Sequence, residues 1–133
     1  MRVVFDTNIL VSALVLPGGS ADKAVARIID GRDLLLFSRE ILDELLGVLA
    51  RKFGRDREEL ARVAVFIDEL GLGERVRPRA RLNVLSDEAD NRILECAVAG
   101  HAEAVVTGDR GILKLESYER IPIMSLRAYL SSR

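Results

Sequence analysis

Short apolar runs alternate along the chain with longer stretches whose apolar positions recur every three to four residues. Arg2 to Phe5 is β-branched and aromatic and stops at Asp6, which predicts a buried strand. Thr7 to Leu16 reads as a helix broken by Pro17-Gly18-Gly19, and Ala21 to Asp30 as a second, ended at Gly31 because a left-handed C-terminal residue favours glycine. Leu34 to Phe37 predicts a second strand, after which Ser38 caps a helix over Arg39 to Arg51. Asp56 to Leu70 carries Leu60, Val63, Ala64 and Ile67 at helical spacing and closes at Gly71 and Gly73. Arg75 to Arg81 is a short extended piece. Ser86 or Asp87 opens a helix that runs to Gly100. Ala104 to Thr107 is a strand, Arg110 to Leu115 a short helix and Ile121 to Met124 a strand, and Ser125 caps a last helix.

Strands that alternate with helices build a parallel sheet covered on both faces by crossover connections. The expected class is therefore α/β, a three-layer α/β/α sandwich with a central parallel sheet. No repeat, low-complexity tract or Pro/Ser/Gly linker interrupts the 133 residues, so residues 1–133 are expected to form one domain. An apolar content of 49% suffices for its core.

Charge narrows the function classes. Twenty basic residues face 21 acidic ones, a net of −1, which excludes a globally basic nucleic-acid binder and leaves RNA contact to local features. The single cysteine, Cys96, excludes an intramolecular disulfide and a thiolate-rich zinc cluster and is compatible with a reducing cytosol. The longest uncharged stretch, 15 residues between Asp6 and Asp22, contains Pro17, Gly18 and Gly19 and cannot span a bilayer. Arg2 before the apolar run Ile9 to Leu16 has the outline of a signal peptide, but Asp6, Thr7 and Asn8 interrupt its ramp. The expectation is a cytoplasmic protein without a membrane partner.

In a sheet of this kind ligands collect outside the carboxyl ends of the strands, near the point where strand order reverses. Asp6 stands directly after Val3-Val4-Phe5, and Asp109 stands two residues after Val105-Val106-Thr107, so both carboxylates emerge at that rim. Each has a second reading as the cap of the helix that follows it. On the helix ending at Gly100, counting back three and four residues from Ile93 and Leu94 places Asp90 on the buried stripe, where an ionised carboxylate is costly unless paired. The alternative is a capping arrangement, Asp87-x-x-Asp90, in which the second acid reaches back to the helix start; the two are not exclusive. Glu44 lies at the margin of the stripe Ile41, Leu42, Leu45, Leu46 and Leu49, where it can look inward or stand as an ordinary solvated glutamate. Four acids from distant parts of the chain are thus each aimed at one rim.

Clustered carboxylates raise one another's pKa and destabilise a fold unless a cation is present. Hard oxygen ligands without histidine or thiolate select magnesium or manganese rather than zinc. The chemistry this suits is phosphodiester hydrolysis, with the acids holding metal rather than attacking.

These residues also carry a family resemblance. Val3-Val4-Phe5-Asp6-Thr7-Asn8-Ile9-Leu10, the Glu44-Leu45 step, Asp87-x-x-Asp90-Asn91-x-Ile93-Leu94-Glu95-x-Ala97 and Val105-Val106-Thr107-Gly108-Asp109 resemble, in order and spacing, the motifs of PIN domains. The match is nearest to the branch of toxins from toxin-antitoxin pairs, similar to VapC-type ribonucleases, and covers essentially the whole chain. It implies a Mg2+- or Mn2+-dependent endoribonuclease acting on RNA. It places Asp6, Glu44, Asp90 and Asp109 at the acidic metal-binding positions, with Asp87 as an extra acid that could trade the ligand role with Asp90. Thr7 or Asn8 would orient the first acid and Thr107 would support the last. It further implies a small antitoxin protein whose peptide crosses the rim, and a homodimer.

The remaining chemistry is local. Arg75, Arg77, Arg79 and Arg81 fall on one side of an extended segment, either as phosphate contacts for RNA or as charges that discourage edge-to-edge aggregation. Arg51, Lys52, Arg55 and Arg57 form a second basic cluster with the same two readings, His101 reads as a surface residue and Cys96 as core. For a homodimer, the helix over 56–70 offers Val63 and Ile67 as a spare apolar face. Among other functions, an aspartyl phosphatase needs a second Asp where Asn8 stands, and a receiver domain needs an acceptor that Phe37-Ser38 does not supply. A catalytically silent PIN-fold scaffold that binds RNA or protein is the alternative from another class.

Overall fold

The computed structural model describes residues 1–72 and 74–132. The strands are β1 (Arg2–Phe5), β2 (Leu34–Leu36), β3 (Ala104–Thr107), β4 (Ser117–Tyr118) and β5 (Ile121–Ser125). The helices are α1 (Thr7–Val15), α2 (Ser20–Ile29), α3 (Arg39–Phe53), α4 (Arg57–Leu70), α5 (Glu88–Ala99), α6 (Arg110–Leu113) and α7 (Leu126–Ser131). The strands form one sheet in the order β2-β1-β3-β5-β4. All neighbours are parallel except β4 and β5. Val3, Val4 and Phe5 are all buried although successive strand side chains point to opposite faces, so both faces of the sheet are covered. Helix α5 packs on β1 and β3, α7 packs on β3 and β5, and α1 lies against α2 and α3. The expected α/β sandwich is formed.

Local chemistry sets most element ends. Ser38 Oγ accepts the Ile41 N–H (3.3 Å) at the start of α3, and Ser125 Oγ accepts the Ala128 N–H (3.0 Å) at the start of α7. Asp56 and Glu59 cap one another's backbone at the start of α4. Gly31 takes a φ of 76° after α2, as expected of a residue that must turn left-handed. Helix α3 runs past Arg51 to Phe53 and ends at Gly54, also left-handed with a φ of 62°. Gly73, expected to help close α4, lies outside the described residues.

Two expectations are corrected, and one strand, β4, was not expected at all. The hairpin of β4 and β5 turns through Glu119 and Arg120, both at positive φ (47° and 68°), in place of the Asn-Gly pair that marks such turns in a sequence. Ile67 is 1% exposed and belongs to the core, so α4 offers no free face there. The segment 75–81 is extended only in part: Val76 makes one parallel bridge to Ser38 and the chain bends at 79–80. Helix α7 is anchored by Arg27, whose guanidinium donates to the Tyr129, Leu130 and Ser132 carbonyls (3.0, 2.7 and 2.9 Å). Among the described residues no single helix is long and apolar enough to cross a membrane.

Candidate active site

From β1 the chain moves outward to β2 on one side, and later to β3 on the other, so strand order reverses between β1 and β3. Their carboxyl ends frame the crevice where this architecture binds ligands. Asp6 leaves β1 there, tied to β3 by its N–H to the Val106 carbonyl (2.9 Å). Its carboxylate is buried, with Oδ1 accepting the Asn8 N–H (3.3 Å) and Oδ2 accepting the Thr107 hydroxyl (2.7 Å). Burial pushes its pKa up, the two hydrogen bonds oppose that, and the charges of Asp109 and Asp87 add to the rise.

Asp109 caps α6, with Oδ1 accepting the Gly111 and Ile112 N–H groups (2.7 and 3.1 Å). Asp87 caps α5 through the Ala89 N–H (2.9 Å). Asp90 does neither. No reciprocal cap forms with Asp87, and among the described residues no protein group donates to the Asp90 carboxylate. Half-buried, it has its pKa pushed up to about 7, first by burial and then by the charges of Asp87, Asp109 and Asp6. Asp87 and Asp109 thus cap their helices while their charges still reach Asp90, because a cap engages one oxygen of each and leaves the other free.

The other expected residues divide. The Thr107 hydroxyl accepts the Asp109 N–H (3.0 Å) while donating to Asp6, so it serves the first acid as well as the last. Asn8 orients Asp6 through its backbone; Thr7 is buried beside it. Glu44 is half-buried on α3 and is not among the charges that shift Asp6 or Asp90. Arg75 is held by Asp68 in two hydrogen bonds (both 3.1 Å), and Arg77, Arg79 and Arg81 are exposed. Among the described residues no three acids, histidines or cysteines converge as a ready ligand set.

The sequence reading missed the residues that hold the rim's loop. Asn91 is buried; its Oδ1 accepts the Val84 and Leu85 N–H groups (3.0 and 2.8 Å) and its Nδ2 donates to the Leu85 carbonyl (2.8 Å). One turn on, buried Glu95 accepts the Leu82 N–H (2.7 Å) and pairs with Arg92 (2.8 Å). Together they fasten residues 82–85 along α5 and so fix the approach to Asp87. An Asn and a Glu four residues apart on an apolar helix stripe were the available signal, since buried polar side chains require partners.

A sequence profile of the PIN domain matches residues 2–111, which include Asp6, Glu44, Asp87, Asp90 and Asp109. The chain is also similar to the uncharacterized protein MJ1680 of Methanocaldococcus jannaschii, with 27% identity over 119 residues that cover 86% of this chain and 75% of that protein.

Proposed function

Since the chain belongs to the PIN-domain family, whose members are generally nucleases that use divalent metals, we propose that it is a magnesium- or manganese-dependent endoribonuclease, the toxin of a toxin-antitoxin pair. The observation that carries the reading is Asp90: a half-buried carboxylate without a protein donor, destabilised by the charges of three other acids, is stabilised by a proton or by a cation. The donor chemistry fits a hard divalent ion, being carboxylate oxygen alone. Asp6, Asp90 and Asp109 would hold it, with Asp87 beside them; the place of Glu44 in that set rests on the family resemblance.

When bound, such an ion supplies acidification of an attacking water and neutralisation of the leaving oxygen. The protein's own part is positional. Thr107 and the Asn8 N–H fix both oxygens of Asp6, the cap of α6 fixes Asp109, and the Asn91 clamp fixes the loop that delivers Asp87. Asp90, whose carboxyl is held protonated more readily than an ordinary aspartate, would carry the cation in place of that proton.

The test is incubation of the purified protein with a pool of labelled RNAs in magnesium, manganese or EDTA. Expected are cleavage with metal, none with EDTA, and loss in Asp6→Asn and Asp90→Asn at unchanged circular dichroism. Equal cutting by wild type and variants would identify a contaminant and overturn the assignment. RNA binding without cleavage would favour the silent scaffold. The toxin role is tested separately by growth arrest on induction and its reversal by the product of an adjacent short reading frame.

A further inference from the structure

Three strands deliver residues to one pocket beside the rim acids. Asn8 stands two residues beyond Asp6 at the end of β1, Gly108 stands between Thr107 and Asp109 at the end of β3, and Leu126 directly follows Ser125 at the end of β5. Helix α1 and the start of α2 close the rest of the wall, around a volume of about 330 Å3. Leu16, at its lip, is an apolar side chain left 64% exposed.

The lining is mostly apolar and includes no charged residue, so it suits a neutral group and not a phosphate. Its polar side chains are the Asn8 carboxamide and the Ser12 and Ser20 hydroxyls, and none of the three has a hydrogen-bond partner among the described residues. Asn8 serves Asp6 only through its backbone N–H, which leaves the carboxamide unspent. Gly108 has no left-handed φ, and a Cβ at this position would meet nothing within 4 Å. Neither backbone nor packing demands glycine there; what it supplies is open space between the pocket and the acids.

We propose that this pocket receives the base of the nucleotide next to the scissile phosphate and so selects where RNA is cut, an inference that rests on the ribonuclease reading. Enzymes hold an extruded base between aromatic or apolar side chains and read its edge by hydrogen bonds. Here the apolar walls supply the first, and a carboxamide, which carries donors and an acceptor together, supplies the second, as it does when asparagine pairs with adenine. The volume falls within the roughly 300–1,000 Å3 of pockets that hold small organic groups. Position favours a base over the side chain of a protein partner. Gly108 is one backbone step, roughly 3.8 Å, from Asp109, so a phosphodiester at the acids carries its neighbouring base to the pocket. An apolar peptide side chain would cover the Asn8, Ser12 and Ser20 groups without pairing them.

The test uses the intact protein in EDTA with each of the four ribonucleosides, which carry no phosphate, followed by amide chemical shifts. Expected are saturable shifts at Ser12, Ser20 and Gly108 with at least one nucleoside, none with methyl riboside, and at least about fivefold weaker binding in Ser12→Phe, which fills the pocket from α1. Gly108→Leu closes it from the rim side should Ser12→Phe fail to fold. In a pool of labelled RNAs with magnesium, the wild type is expected to prefer one base at a position beside the cut, and Ser12→Phe to cut without that preference. Cleavage without any base preference, or with one that both filled variants keep, overturns the pocket and leaves the ribonuclease reading standing. Nucleoside binding without cleavage supports the pocket and overturns that reading. No saturable shift with any nucleoside, or shifts with N-acetyl-leucinamide alone, overturns the proposal.

Discussion

The Thr107 hydroxyl donates to Asp6 Oδ2 at 2.7 Å and accepts the Asp109 N–H at 3.0 Å, so one side chain at the end of β3 aligns two rim acids. The pair is buried, where a hydrogen bond to an ionised group is strong and its loss leaves a carboxylate under-solvated. Thr107→Val keeps shape and removes only this function. It is expected to lower stability by roughly 1–3 kcal/mol in chemical denaturation. Metal-dependent cleavage should fall roughly 10- to 100-fold, with Thr107→Ser restoring it.

Asp90 makes the metal-free protein sensitive to pH in a defined direction. Its pKa rises from the ordinary aspartate value to about 7 on folding, so between these values the folded state holds a proton that the unfolded state has released. Stability therefore falls as pH rises from about 4 to about 7 and levels off above that. Melting temperatures across this range should show the decline, and Asp90→Asn should flatten it and melt higher than wild type at pH 8. A lower melting temperature for that variant would contradict the crowded-acid picture.

Magnesium or manganese should raise the melting temperature at pH 8 in proportion to the logarithm of its excess over the dissociation constant. The gain should shrink in Asp90→Asn and in Asp6→Asn. An identical rise in all three proteins would place the ion elsewhere.

Asn91 bonds two backbone N–H groups and one carbonyl of the loop before α5. Asn91→Ala strands them and is expected to cost roughly 2–4 kcal/mol. Hydrogen exchange at Val84 and Leu85 should accelerate before that of the β1 and β3 amides, since the loop loosens while the sheet stays closed.

Ile67 belongs to the core, and Ile67→Glu is expected to unfold the chain rather than to change its oligomeric state. Val65, 57% exposed on the same helix, is the position at which a glutamate tests dimerisation by sedimentation without touching the core.

Sequence by itself determined the alternation of strands and helices, the caps at Ser38 and Ser125, and the turn at Gly31, because each depends on residues within a few positions of itself. It also placed Asp6 and Asp109 at the carboxyl ends of their strands. It could not separate capping from clustering, since both use the same oxygens and differ only in what lies across the crevice. Tertiary structure decided that Asp87 and Asp109 cap their helices and that Asp90 does not. Thr107 and Asp6 meet across 101 residues of chain, and two of the charges that act on Asp90, those of Asp6 and Asp109, come from the ends of other strands. The β4 strand, the Asn91 clamp and the pocket shared by Asn8, Gly108 and Leu126 likewise depend on partners distant in sequence, and contacts of that kind leave no periodicity for a linear reading to find.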